Sequence, residues 1–247
     1  MEISLGSLGA AVVLALVYVG GARFGEDGAA GIWSRRRWVS AAAGVSVAYV
    51  FVDVLPELAE HHRAFRDAMG EGLRFAEQRI YLLALVSFVV LYGLEHMVLA
   101  SREERRGTVA AGVPDAVYGL HLAGFVAYSA LIGYLLVERA ERGPLALAIY
   151  GLAMALHFRI VDHSLREEHG RAYDRTGRWV LAASVLVGWI VGVTTSLSAV
   201  VFARLFAVLA GGVVITSLSA ELPGDREGRF WPFCLGAAAY AVLLFLT

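Results

Sequence analysis

An all-α polytopic membrane protein is the fold class this sequence predicts, on three observations. The 247-residue chain is 58% hydrophobic, and its mean hydropathy of +0.65 is well above what a water-soluble domain tolerates. Apolar runs of roughly 17–25 residues, the length that spans about 30 Å of hydrocarbon, recur along the whole chain. The longest connection, about 58–79, is some twenty residues, which leaves no room for a separate soluble domain.

Eight spans follow, at about 3–20, 38–57, 80–100, 115–137, 144–165, 178–195, 199–221 and 230–246, forming one transmembrane domain over 1–247. The opening "MEISLGSLGA" has an acidic residue and no basic n-region, so the first run is expected to be a retained helix rather than a signal peptide. The prolines punctuate the rest. Pro144 and Pro232 fall where helices begin, and Pro114 just precedes one. Pro56 and Pro223 fall near the ends of the second and seventh spans, where a kink or stop is tolerated.

Charge narrows the function classes. The net charge of −1 and the lack of a basic patch give no sign of a nucleic-acid partner. All 21 basic residues are arginine, which removes lysine chemistry such as a Schiff base. The single cysteine, Cys234, excludes an intramolecular disulfide and a CxxC metal site. Thirteen arginines gather on one side of the predicted spans and seven on the other. The positive-inside rule then predicts cytoplasmic arginine-rich loops and both termini outside.

Polar residues inside the spans are the candidate functional groups, because a charge in hydrocarbon is costly. In the second span, "VAYVFVDVLPELAEHH" places Asp53, Glu57 and His61 on one helical stripe, flanked by Glu60 and His62. Such oxygen and nitrogen donors suit a divalent first-row metal, although a solvated helix end gives the same pattern. In the third, "LYGLEHMVLASREERR" carries Glu95 and His96, which point about 100° apart and do not share a ligand face. The fourth, "AVYGLHLAGFVAYSALIG", has a solitary His121, either a buried hydrogen-bonded residue or a ligand completed by neighbours.

The fifth span runs "PLALAIYGLAM" and then "ALHFRIVDHSLREEHG". Arg159, Asp162, His163 and Arg166 fall on one face, where the charges can neutralise each other. His157 lies nearly opposite, with Val161, Ser164 and Glu168 on its side, free to face another neighbour. Thr216, Ser217, Ser219 and Glu221 end the seventh span, where hydroxyls can bond backbone carbonyls. The small-residue runs "SAAAGV", "GWIVG" and "LAGGVV" read as close helix packing rather than as sites.

Several stretches together resemble the ZIP family of divalent metal transporters. "LFAVLAGGVVITSLSAELPGDREGRFWPFCLGAAAYAVLLFL" is similar to the family's last two helices. "SAAAGVSVAYVFVDVLPELAEHH" resembles its second helix, with Asp53 in place of a histidine, and "LEHMVLAS" the end of its third. The resemblance covers nearly the whole chain as a diffuse pattern. It implies eight helices in a ZIP-like bundle, transport of zinc or another divalent ion, and no enzymatic activity or resident cofactor. The implied setting is a cell membrane crossed several times, with the lipid bilayer and the metal ion as partners and a homodimer allowed.

Family members resemble one another in a fourth-helix His-Asn-x-x-Glu/Asp element and a similar fifth-helix element. His121 and His157 match the two leading positions. The positions one turn on hold Phe125 and Val161 instead of carboxylates. Two imidazoles are too few for useful affinity, so Asp53, Glu57 or Asp162 would have to complete the metal site. Alternatively the site is lost and Arg159 repels cations, which leaves a ZIP-fold protein moving another solute or serving a regulatory or structural role. An intramembrane zinc hydrolase is a third reading, without an HExxH motif to support it.

Overall fold

The computed structural model describes residues 2–21, 35–57, 59, 74–104, 113–219 and 229–246. Helices account for nearly all of them, and no strand occurs among the described residues. In chain order the helices are α1 (Glu2–Gly20), α2 (Arg35–Tyr49), α3 (Arg74–Glu104), α4 (Asp115–Glu141), α5 (Pro144–His169), α6 (Arg178–Thr194), α7 (Ala199–Ser219) and α8 (Phe230–Phe245). Among the described residues, six segments are long and apolar enough to cross a bilayer. They are Arg37–Glu57, Ile80–Glu104, Asp115–Glu141, Pro144–His169, Tyr173–Thr194 and Val200–Ser219. Leu5–Gly20 and Phe230–Phe245 are apolar but shorter. His61, His62, Glu60, Glu221 and Pro223 lie outside the described residues.

The helix ends follow local chemistry. Pro144 opens α5 behind Gly143, whose φ of 120° only glycine adopts readily. Gly170, at φ 51°, stops α5 while its N–H bonds back to the Arg166 carbonyl at 2.9 Å. Pro56 has no N–H for the Val52 carbonyl and its ring crowds that oxygen. The chain answers with a π-helical turn over Val50–Val54, in which the Leu55 N–H reaches back five residues to Val50.

Several helices run past the predicted bounds. α3 reaches Glu104, α4 reaches Glu141 and α5 reaches His169. The charged ends of α4 and α5 carry contacts one turn apart, Arg142 paired with Glu138 and His163 Nε2 lying 3.4 Å from Glu167 Oε1. Charge marks where hydrocarbon stops, not where hydrogen bonding stops.

The helices sort into two compact units, Met1–Ala29 with Val90–Val193, and Ala30–Val89 with Thr194–Thr247. In the first, α1, α4, α5 and α6 pack around Tyr18, Phe125, Ile132, Leu135, Tyr150 and Phe158, all essentially buried. α4 and α6 meet backbone to backbone. A methyl group on Gly133 would overlap the Val185 carbonyl, and one on Gly188 would overlap the Ala130 carbonyl. In the second unit α2 and α8 meet the same way, through Gly44 against Phe233 and Gly236 against Ala41. Gly211 of α7 lies against the Ala84 carbonyl of α3.

Large apolar side chains stand exposed along whole helix faces, among them Leu82, Leu85, Val86, Val89 and Val90 on α3 and Val187, Ile190 and Val191 on α6. In water such faces would drive aggregation. Against hydrocarbon they are the ordinary outer surface of a helical bundle.

Candidate metal centre

Only Arg142 and Gly143 separate α4 from α5, so the two helices form a tight hairpin and run antiparallel. Their register is written in cross-helix contacts. The Tyr150 hydroxyl donates to the Ile132 carbonyl at 3.1 Å, and the His157 ring meets the Tyr128 ring with centroids 5.7 Å apart. Further from the turn, His121 meets His169.

That last contact is part of a cluster. His121 Nδ1 lies 2.8 Å from His169 Nε2 and 3.7 Å from Glu168 Oε2. Donor atoms of His121, Glu168 and His169 all lie within 4.8 Å of one another. For a tetrahedral site with metal–nitrogen bonds near 2.0–2.1 Å, neighbouring ligand atoms sit about 3.3 Å apart. The three groups therefore suit a small divalent cation after shifts of well under an ångström for the closest pair. From α3, Glu95 Oε1 approaches the other nitrogen of His121, Nε2, at 3.9 Å. His121 is wholly buried, and Glu95 and Glu168 nearly so. Phe125 closes one side at 5.1 Å between ring centroids, and Tyr118 lies 4.7 Å from the His169 ring. Two imidazoles and two carboxylates are a donor set that a divalent first-row cation accepts.

The sequence-predicted residues divide. His121 is at this centre. His157 is not: it lies opposite Tyr128, seven residues or about 10 Å of helix rise along α4 from His121. Neither ring nitrogen of His157 has a hydrogen-bond partner among the described residues, and its ring neighbours are Tyr128 and Phe158. Asp53, in the π-helical turn, and Glu57, just beyond it, belong to the other unit. Glu95 and His96 diverge as their spacing requires, Glu95 inward to His121 and His96 outward against Tyr92.

Asp162 belongs to a separate network. Arg159 Nη1 donates to Asp162 Oδ2 at 3.3 Å, and Arg166 Nη2 and the Tyr173 hydroxyl donate to Oδ1 at 3.0 and 2.8 Å. Arg166 also pairs with Asp174 and lies over the Tyr173 ring, 5.5 Å from its centroid. Two guanidinium and two carboxylate groups balance, so Asp162 is engaged by its own helix and the π-helical turn Tyr173–Gly177.

Glu168 and His169 are not among the residues the sequence singles out as ligands. The signal for them was the hairpin itself: with a turn at Gly143, residues near 121 face residues near 169. Compared with known proteins, the chain matches no family model and no curated protein.

Proposed function

We propose that this protein is a multi-span membrane carrier of divalent metal cations, ZIP-like in helix arrangement, with its metal centre at His121, Glu168 and His169. The observation that carries the reading is the convergence of those three donor groups within 4.8 Å of one another, inside an apolar helical hairpin. Intramembrane ionisable clusters mark ion pathways. The donor set, imidazole and carboxylate with no thiolate, suits zinc, iron or manganese rather than copper(I).

On this reading the chain crosses a cell membrane eight times with both termini outside. α8, at 16 residues, is about 24 Å long and spans with local thinning of the bilayer. The centre then lies toward the cytoplasmic side, near the arginine-rich loops.

The test is uptake of zinc, manganese, iron and cadmium by proteoliposomes holding the purified protein, with bound metal measured alongside. Saturable uptake lost in His121→Ala and His169→Ala, but kept in His157→Ala, supports the carrier. Uptake equal to that of empty liposomes, with no bound metal, overturns it.

A second reading has its own observation. His157, at a position where the resemblance implies a ligand, is enclosed by aromatic rings, and Asp162 is engaged by arginines. A ZIP-fold protein that binds metal at His121 without transporting it would show bound metal and no uptake.

A further inference from the structure

We propose that Glu95 is the positioning carboxylate of this centre, which holds His121 in the tautomer that turns Nδ1 toward the cation. The inference rests on the metal-binding reading of His121, Glu168 and His169. The two nitrogens of an imidazole point away from each other. Nδ1 of His121 faces His169 Nε2 and Glu168 Oε2, whereas Nε2 faces Glu95 Oε1. Glu95 stands outside the group whose donor atoms are mutually close. It therefore meets His121 from the side opposite the ligands.

A neutral imidazole carries one proton and one lone pair. Metal at Nδ1 requires the proton at Nε2, and the carboxylate that faces Nε2 is Glu95. His121 Nε2 is buried without a hydrogen-bond partner among the described residues, so the proton has one acceptor in view. At 3.9 Å the pair is too long for a hydrogen bond. Insertion of a cation narrows it, and a small rotation of the Glu95 carboxylate completes the bond. The 2.8 Å separation between His121 Nδ1 and His169 Nε2 must open to about 3.3 Å around a tetrahedral ion. That displacement pushes the His121 ring away from His169, with Nε2 leading toward Glu95. Carboxylates that accept the second N–H of a ligating histidine fix its orientation and raise its basicity.

The test uses the full-length protein in nanodiscs, with Co²⁺ as the spectroscopic probe and Zn²⁺ as competitor. Glu168→Gln, which alters a ligand, is expected to move the Co²⁺ ligand-field bands. Glu95→Leu is expected to weaken Zn²⁺ binding about 10–100-fold with the bands unmoved. Glu95→Gln, whose side-chain carbonyl still accepts a hydrogen bond, falls between Glu95→Leu and wild type. Unchanged Zn²⁺ affinity in Glu95→Leu overturns the proposal. So do bands altered as in Glu168→Gln, since Glu95 would then be a ligand. If Glu95→Leu is not recovered folded, near-isosteric Glu95→Gln decides: weakened binding with unmoved bands supports the role, and wild-type affinity overturns it. Failure of the wild-type protein to bind Co²⁺ or Zn²⁺ overturns the metal centre itself.

Discussion

Asp162→Asn is the most informative perturbation of the fold, because it keeps the side chain's shape and removes only its charge. Asp162 is nearly inaccessible, and its partners differ in exposure: the Arg166 side chain is 18% exposed and that of Arg159 is 34% exposed. A hydrogen bond to a charged group in a buried setting contributes about 1.5–3 kcal/mol. The Arg166 bond at 3.0 Å takes that value, whereas the longer, more solvated Arg159 pair is worth at most about 1 kcal/mol. Arg166 and Tyr173 donate to the same oxygen, so asparagine keeps a neutral acceptor for both, and what is lost is the carboxylate charge that the two guanidinium groups face. The total loss is about 2–4 kcal/mol. For a chain of this length each kcal/mol moves Tm by about 2–4 °C, so thermal unfolding in detergent should show a fall of about 5–15 °C. Double-mutant cycles sharpen the ranking: Asp162 should couple to Arg166 by about 1.5–3 kcal/mol and to Arg159 by less than about 1 kcal/mol. A Tm within about 1–2 °C of wild type, or a larger coupling to Arg159, would refute the reasoning.

Two further outcomes are expected. Gly188→Ala and Gly133→Ala each force a methyl group onto a facing carbonyl and should destabilise by about 1–3 kcal/mol, whereas Gly119→Ala, which meets nothing within 4 Å, should be neutral or mildly stabilising. Equal Tm values for all three would contradict backbone contact between α4 and α6. His157→Leu should leave Tm unchanged or higher, with full metal content, because it removes two buried nitrogens that have no hydrogen-bond partner among the described residues. A fall of several degrees would show that the imidazole is bonded.

Much of the packing was legible in the sequence. The small-residue runs named Gly44, Gly188, Gly192 and Gly211, and each meets a neighbouring helix closely. The spacing of Arg159, Asp162 and Arg166 indicated a self-neutralising stripe, and those groups are paired. Tyr173, which completes the network, lies beyond the periodic segment and left no trace in it. The candidate metal centre was half legible. Helical periodicity tells which face a residue occupies, but depth along a partner helix depends on hairpin register. His121 and His157 share a chemistry and a resemblance, yet register sends one to His169 and the other to Tyr128. Glu168 and His169 looked like the polar fringe of a helix end, where charged residues are commonplace.

The reciprocal glycine contacts between α4 and α6 constrain motion as well as packing. Gly133 and Gly188 are each flanked by bulky residues, Ile132 and Tyr134 on one helix and Val187 and Trp189 on the other. An axial slip of one residue, about 1.5 Å, would press side chains onto the opposing carbonyls. The two helices are keyed like a bolt in its slot. Whatever displacement carries α4, α6 must travel with it as one stiff body.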